Sequence, residues 1–120
     1  QIAKLAFSEA DIAQARYRLI TNTVVDVISK LTDRAYDLVV LRHNPEDLSY
    51  VIGEAHRILR SGGALVIDNY YGAGKVSDAA QRDPKTVALR DAGKIIKNDS
   101  EHWVSSLIPI GDGLLIATKV

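Results

Sequence analysis

The sequence predicts an α/β fold, a mostly parallel sheet that ends in an antiparallel C-terminal hairpin. Three observations carry this reading. Residues 36–69, YDLVVLRHNPEDLSYVIGEAHRILRSGGALVIDN, run as a buried strand, a turn, an amphipathic helix, a glycine break and a second buried strand. A strand, a crossover helix and another strand produce a parallel pair. In the strand at 37–41, Asp37 is followed by four consecutive apolar residues, Leu38 to Leu41, the pattern of a strand covered on both faces. Near the end, the apolar runs 102–110 and 113–120 flank Gly111-Asp112-Gly113, and Asp-Gly between two such runs marks a hairpin.

Taken in order, residues 1–10 place Ile2, Leu5 and Ala6 on one face, as at the end of a helix. Residues 17–21 read as a short strand. Val24, Val25, Ile28 and Leu31 then recur at helical spacing. After the strand at 37–41, Pro45 and Asp47 open a helix over about 47–60, with Asp47 as its cap. Leu48, Val51, Ile52, Ala55, Ile58 and Leu59 form its apolar stripe. Ser61-Gly62-Gly63 should end that helix, because glycine tolerates the left-handed conformation. A strand follows at 63–67, then a polar, glycine-rich loop of the kind that carries function. Asp83-Pro84 starts a helix over about 84–98, with Val87, Leu89, Ala92, Ile95 and Ile96 inward. Pro109 marks its strand as an edge strand or one that stops there.

The 120 residues are enough for one domain with its own core. Fifteen basic and fifteen acidic residues cancel, so no electrostatic footprint for nucleic acid or a membrane surface is present. With no cysteine, a disulfide framework and a cysteine-based zinc site are excluded. No apolar run approaches the ~20 residues of a membrane span, and a cytoplasmic location is expected. The chain contains no methionine, so Gln1 is expected to be an internal residue of a longer protein.

Two polar clusters, Arg42-His43-Asn44 and Asp68-Asn69, fall at the carboxyl ends of the two buried strands, where open parallel sheets bind their ligands. Tyr71 and Lys75 have the spacing of a dehydrogenase Tyr-Lys pair, but Gly72-Ala73-Gly74 between them disfavours the helix that pair requires. Gly74-Lys75 is not a phosphate loop, since Asn69 stands in place of the first glycine and Val76 in place of the Ser or Thr. His56 and His102 read as surface positions. The charge over residues 82–101 reads as a solvated helix face.

This order of elements resembles the S-adenosylmethionine-dependent O-methyltransferases of the catechol and caffeoyl-coenzyme-A type. DNYYGAGKV is similar to the loop after the family's fifth strand, RDPKTVALRDAGKIIKND to the helix that follows, and WVSSLIPIGDGLLIATKV to its closing hairpin as it occurs in bacterial members. The likeness covers the family's third strand onward and implies the C-terminal portion of a Rossmann-like methyltransferase fold. In that fold the strand order is third, second, first, fourth, fifth, seventh, sixth. The glycine-rich turn and the acidic residue that grip the cofactor have no counterpart in this sequence. What the resemblance leaves for the cofactor is Asn22, Thr23 and Val24 beside the adenine, with His43 near its ring.

The family holds a divalent ion on an Asp after the fourth strand and an Asp-Asn pair after the fifth, and a lysine takes the acceptor's proton. Asp68 and Asn69 match the pair. Arg42 replaces the first Asp and Pro45 the lysine. Arginine is always cationic and has no acceptor atom, so it should repel the ion and could pair with Asp68. The resemblance therefore implies S-adenosylmethionine and a small-molecule acceptor in the complete protein, without a divalent metal. Two function classes meet these facts: part of an O-methyltransferase that is inactive alone, or a methyltransferase-like module that serves binding or assembly. The strand at 37–41 would also be left as an apolar edge. Either residues 17–21 cross over to cover it or a second copy does, making a homo-oligomer, most simply a dimer.

Overall fold

Four strands form one sheet in the order β1-β2-β4-β3, with β1 spanning Tyr36–Leu41, β2 Leu59–Asp68, β3 Trp103–Ile108 and β4 Leu114–Lys119. The structure is a computed structural model that describes residues 2–13, 16, 18–20, 22–42 and 47–120. β1 and β2 are parallel, while β4 runs antiparallel to both β2 and β3. This is the fourth, fifth, seventh, sixth order that the family likeness implies. The helices are α1 (Ile2–Glu9), α2 (Val24–Ile28), α3 (Leu48–Ile58) and α4 (Pro84–Asn98).

The core lies between the sheet and α3 with α4. Val51, Ile52, Ala55 and Ile58 of α3 and Leu89, Ala92 and Ile96 of α4 are buried, against Leu65 and Ile67 of β2 and Leu115 and Ala117 of β4. Each large aliphatic side chain so buried contributes roughly 1.5–3 kcal/mol. At the C-terminal end of α3, Lys119 is buried and its ammonium donates to the carbonyls of His56 (2.7 Å) and Leu59 (2.8 Å). These carbonyls lie at a helix end that would otherwise lack partners. Burial lowers the pKa of that ammonium. Arg57 ties the α2 segment to α3 by donating to the carbonyls of Leu31 and Ile28 and to the carboxylates of Glu54 and Asp33.

Several expectations are corrected. α3 ends at Ile58, short of Ser61-Gly62-Gly63, because Leu59 is already extended and pairs with Tyr36. The next partners are Leu38 and Ala64, so residues 60–63 bulge opposite Asp37 alone. Asp47 occupies the cap position of α3 without a capping hydrogen bond, and its φ of −103° and ψ of 60° lie outside the extended region that capping uses. Ile95 is exposed, whereas Thr86 takes the inward position one turn before Leu89. Arg18, Leu19 and Ile20 form no strand; Tyr17 and Thr21 lie outside the described residues. β1 is not covered on both faces, since Leu38 and Val40 are 55% and 49% exposed. The described helices α3 and α4 pack on the opposite face, the one that carries Leu65 and Ile67.

Candidate functional site

Parallel pairing of Leu41 with Ile67 brings the carboxyl ends of β1 and β2 side by side. Arg42 and Asp68 therefore meet: Arg42 Nε lies 3.4 Å from Asp68 Oδ2, with the side chains 73% and 29% exposed. The other carboxylate oxygen of Asp68 accepts the backbone N–H of Asn69 at 2.8 Å. Asn69 turns the chain with a φ of 54°, a left-handed conformation that asparagine tolerates better than most residues.

From there the loop hooks onto the C-terminal hairpin. Tyr70 and Tyr71 donate their N–H groups to the carbonyls of Gly113 (3.0 Å) and Asp112 (2.8 Å). The N–H of Ala73 points at both oxygens of the Asp112 carboxylate, at 2.9 and 3.1 Å. Helix α4 begins at the same place. Asp83 caps it by accepting the N–H and the hydroxyl of Thr86 at 3.1 and 2.8 Å. Those two donations, first the hydroxyl and then the backbone, hold the Asp83 carboxyl below its ordinary range, and Lys75 adds to the effect.

These pieces enclose a cavity of about 320 Å³ lined by Arg42, Asn69, Lys75, Thr86, Leu89 and Asp112, among others. Arg42 and Asn69 are brought together as the sequence reading requires. Lys75 and Asp112 join them, and both were missed as site residues. The rule that ligands sit at strand ends could have flagged Asp112, because its hairpin turn is the next one along the sheet. Lys75 carried two local signals, its spacing from Tyr71 and the Gly74-Lys75 pair, but neither motif was complete and neither pointed to this cavity.

The residues present do not fit a divalent ion. Asp68 faces a guanidinium that carries a fixed positive charge and has no acceptor atom. Asp83 and Asp112 spend their oxygens on backbone and hydroxyl donors. Among the described residues no group of three His, Cys, Asp or Glu side chains could hold a metal.

The residues expected beside a cofactor lie elsewhere. Asn22 and Val24 line a separate groove of about 350 Å³ along the open edge of β1, with Leu38 and Val40. Thr23 instead caps α2, its hydroxyl oxygen accepting the Asp26 N–H at 3.3 Å. His43 and Pro45 lie outside the described residues. His56, expected at the surface, is half-buried: its ring packs edge-on against His102 (4.9 Å) and Trp103 (5.1 Å), and its Nε2 is buried without a partner.

The sequence profile of an O-methyltransferase family matches residues 1–120. A Mycobacterium sp. (strain KMS) protein, provisionally named an O-methyltransferase, is 42% identical over 119 residues, 99% of this chain and 54% of its own length. The crystal structure of a Corynebacterium glutamicum protein superimposes with a TM-score of 0.88 at 35% identity, covering 98% of this chain and 54% of that one. An O-methyltransferase from Bacillus cereus, crystallised with SAH, shares the fold at a TM-score of 0.70 and 16% identity, covering 82% of this chain and 48% of that one. The chain thus spans about half the length of the curated relatives it matches. Matched along its whole length by that profile, and built with the strand order and loop placement of the fold, the chain belongs to the O-methyltransferase family.

Proposed function

We propose that the complete protein transfers a methyl group from S-adenosylmethionine to an oxygen of a small molecule, and that this chain supplies the C-terminal, acceptor-side portion. The observation that carries this reading is the cavity at the ends of β1 and β2, closed by the hairpin turn and the start of α4. It is where an open α/β sheet places chemistry. Asn22 and Val24 would contact the adenine side of the cofactor, with His43 as a further candidate. The cofactor, when bound, supplies an electrophilic methyl group. The acceptor hydroxyl would have to be held facing that methyl group and give up its proton to solvent or to a base from the rest of the complete protein. In this proposal Arg42 supplies the cationic neighbour for charge on the acceptor oxygen, with Asp68 Oδ2 at 3.4 Å from its Nε. A cytoplasmic site of action and a homo-oligomeric state belong to the same proposal.

The second reading, a non-catalytic binding or assembly module, is favoured by one fact. Arg42 neutralises the carboxylate that the family uses for its ion.

The test is methyl transfer by the protein encoded by the full reading frame, to catechol-like and carboxylated phenols, with and without a chelator. Turnover that survives chelation is expected. Turnover abolished by chelation and restored by magnesium would overturn the role given to Arg42, and no turnover with any acceptor would favour the module. Titrated calorimetrically, the 120-residue chain alone should bind S-adenosylmethionine no tighter than about millimolar, ~4 kcal/mol.

A further inference from the structure

A second groove, of about 430 Å³, lies on the far side of α4, between that helix and β3 with β4. Its helix wall carries Arg90, Lys94 and Lys97. At 100° per residue these three positions fall within about 60° of one another on the helix surface. Its strand wall carries Ser105, Leu107 and Leu115, whose side chains share the α4 face of the sheet, with Ser106 beside them turned to the other face, and Tyr70 closes one end.

The charge here is uncompensated. No carboxylate lines the groove, and among the described residues neither Lys94 nor Lys97 forms an ion pair. Arg90 donates only to carbonyls, those of Val76 (3.2 Å), Asp78 (3.0 Å) and Gln81 (3.0 Å), so its charge is fixed in place but not neutralised. Three like charges on one helix face repel one another, and an anion between them relieves that repulsion. A phosphate monoester carries close to two negative charges and three acceptor oxygens, enough for two ammonium groups and the Ser105 hydroxyl at once. A carboxylate brings only one negative charge to the same cations. Leu107 and Leu115 offer the wall for an apolar body attached to it.

We propose that this groove binds a phosphate monoester with an aromatic or other apolar body, held by Lys94, Lys97 and Ser105. The site is distinct from the cavity at Arg42 and does not depend on the methyl-transfer reading.

Phenyl phosphate, inorganic phosphate and phenol, titrated into the 15N-labelled chain at low salt, test it. Phenyl phosphate should bind at about millimolar or tighter, moving the amide signals of Gly93, Ser105 and Ser106. Inorganic phosphate should bind more weakly at the same signals, and phenol should not bind. The double variant Lys94→Gln/Lys97→Gln should lose roughly tenfold or more in affinity, while Lys30→Gln should not. Rising salt should weaken binding. Each of these alternatives would overturn the proposal: phenol binding as well as phenyl phosphate, the double variant binding unchanged, or shifts gathering on Lys75 and Asp112. If the double variant loses its dispersed spectrum, Ser105→Ala replaces it, with a weakening of several-fold expected and no weakening overturning the site.

Discussion

Gly93 sits inside α4, where alanine would add about 1 kcal/mol of helix stability. Its neighbour explains the glycine: a Cβ there would lie 1.9 Å from the Tyr70 hydroxyl oxygen and 2.9 Å from the ring carbon that bears it. Gly93→Ala should therefore displace the half-buried Tyr70 ring. The loss of packing outweighs the gain in propensity, for a net destabilisation of about 1 kcal/mol in the urea midpoint. In a Tyr70→Ala background the same substitution should stabilise, by up to ~1 kcal/mol. A change of the same sign in both backgrounds would show that Tyr70 is not the cause. His56 supplies a pH dependence. Burial first, then the charges of Lys119 and of His102, lower its pKa from the ordinary 6.5, against a smaller opposing pull from Asp99. The unfolded chain thus binds a proton that the native chain holds off. Stability should be highest above pH 7 and fall as pH drops through the unfolded value toward the lower native one. The lowered carboxyls of Asp83 and Glu54 titrate at lower pH and leave this window clear. Urea midpoints at pH 7.5 and 5.5 should differ less in His56→Gln than in the native chain, and an unchanged difference would remove His56 from the account.

At the scale of the element, the junction between α3 and β2 shows what a strand partner can impose. The bulge at residues 60–63 packs Gly63 so closely that a Cβ would meet the Arg60 carbonyl oxygen at 2.9 Å and that of Asp37 at 3.1 Å. Both are backbone atoms and cannot swing aside. Gly63→Ala should cost about 1–3 kcal/mol, read as a lower thermal midpoint; no change would mean that the bulge relaxes freely. This junction also marks where sequence reasoning stops. The apolar stripe from Leu48 to Leu59 was legible because its 3.6-residue period survives in the sequence, and every one of those residues is buried. The helix end was not, because Leu59 leaves α3 to pair with Tyr36, a contact that no local pattern encodes. The site divides the same way. Arg42 and Asp68 were legible as neighbours because both close apolar runs, and parallel pairing sets those ends together. The tie from Ala73 to Asp112 spans 39 positions and exists only once the hairpin has folded against the loop. The Asp83 cap, by contrast, lies within one turn of its partner Thr86 and could be read directly.

At the scale of the whole molecule, the described helices α3 and α4 dress one side of the sheet. Leu38 and Val40 of β1, Val104 of β3 and the partly exposed Val66 and Ile116 project to the other side, away from α3 and α4. Val104 alone is 65% exposed. Strands of parallel sheets are ordinarily covered on both faces. β1 is also the end strand of the sheet, so its outer N–H and C=O groups pair with no described strand. Such an apolar edge is a template for another strand. Of the two covers expected from the sequence, the crossover of residues 17–21 gains no support, since Arg18, Leu19 and Ile20 form no strand. For the 120-residue chain taken alone, the cover proposed is therefore a second copy. Two β1 strands can meet antiparallel about a twofold axis, joining two four-stranded sheets into one and bringing both rows of Leu38 and Val40 together. Sedimentation at tens of micromolar should then give about twice the 13.1 kDa chain mass. The amides of residues 37–41 should exchange slowly with solvent. Val40→Lys, which sets a charge on the edge, should return the chain to a monomer with fast exchange there. A native chain that sediments as a monomer, with those amides open to exchange, would sink the proposed dimer.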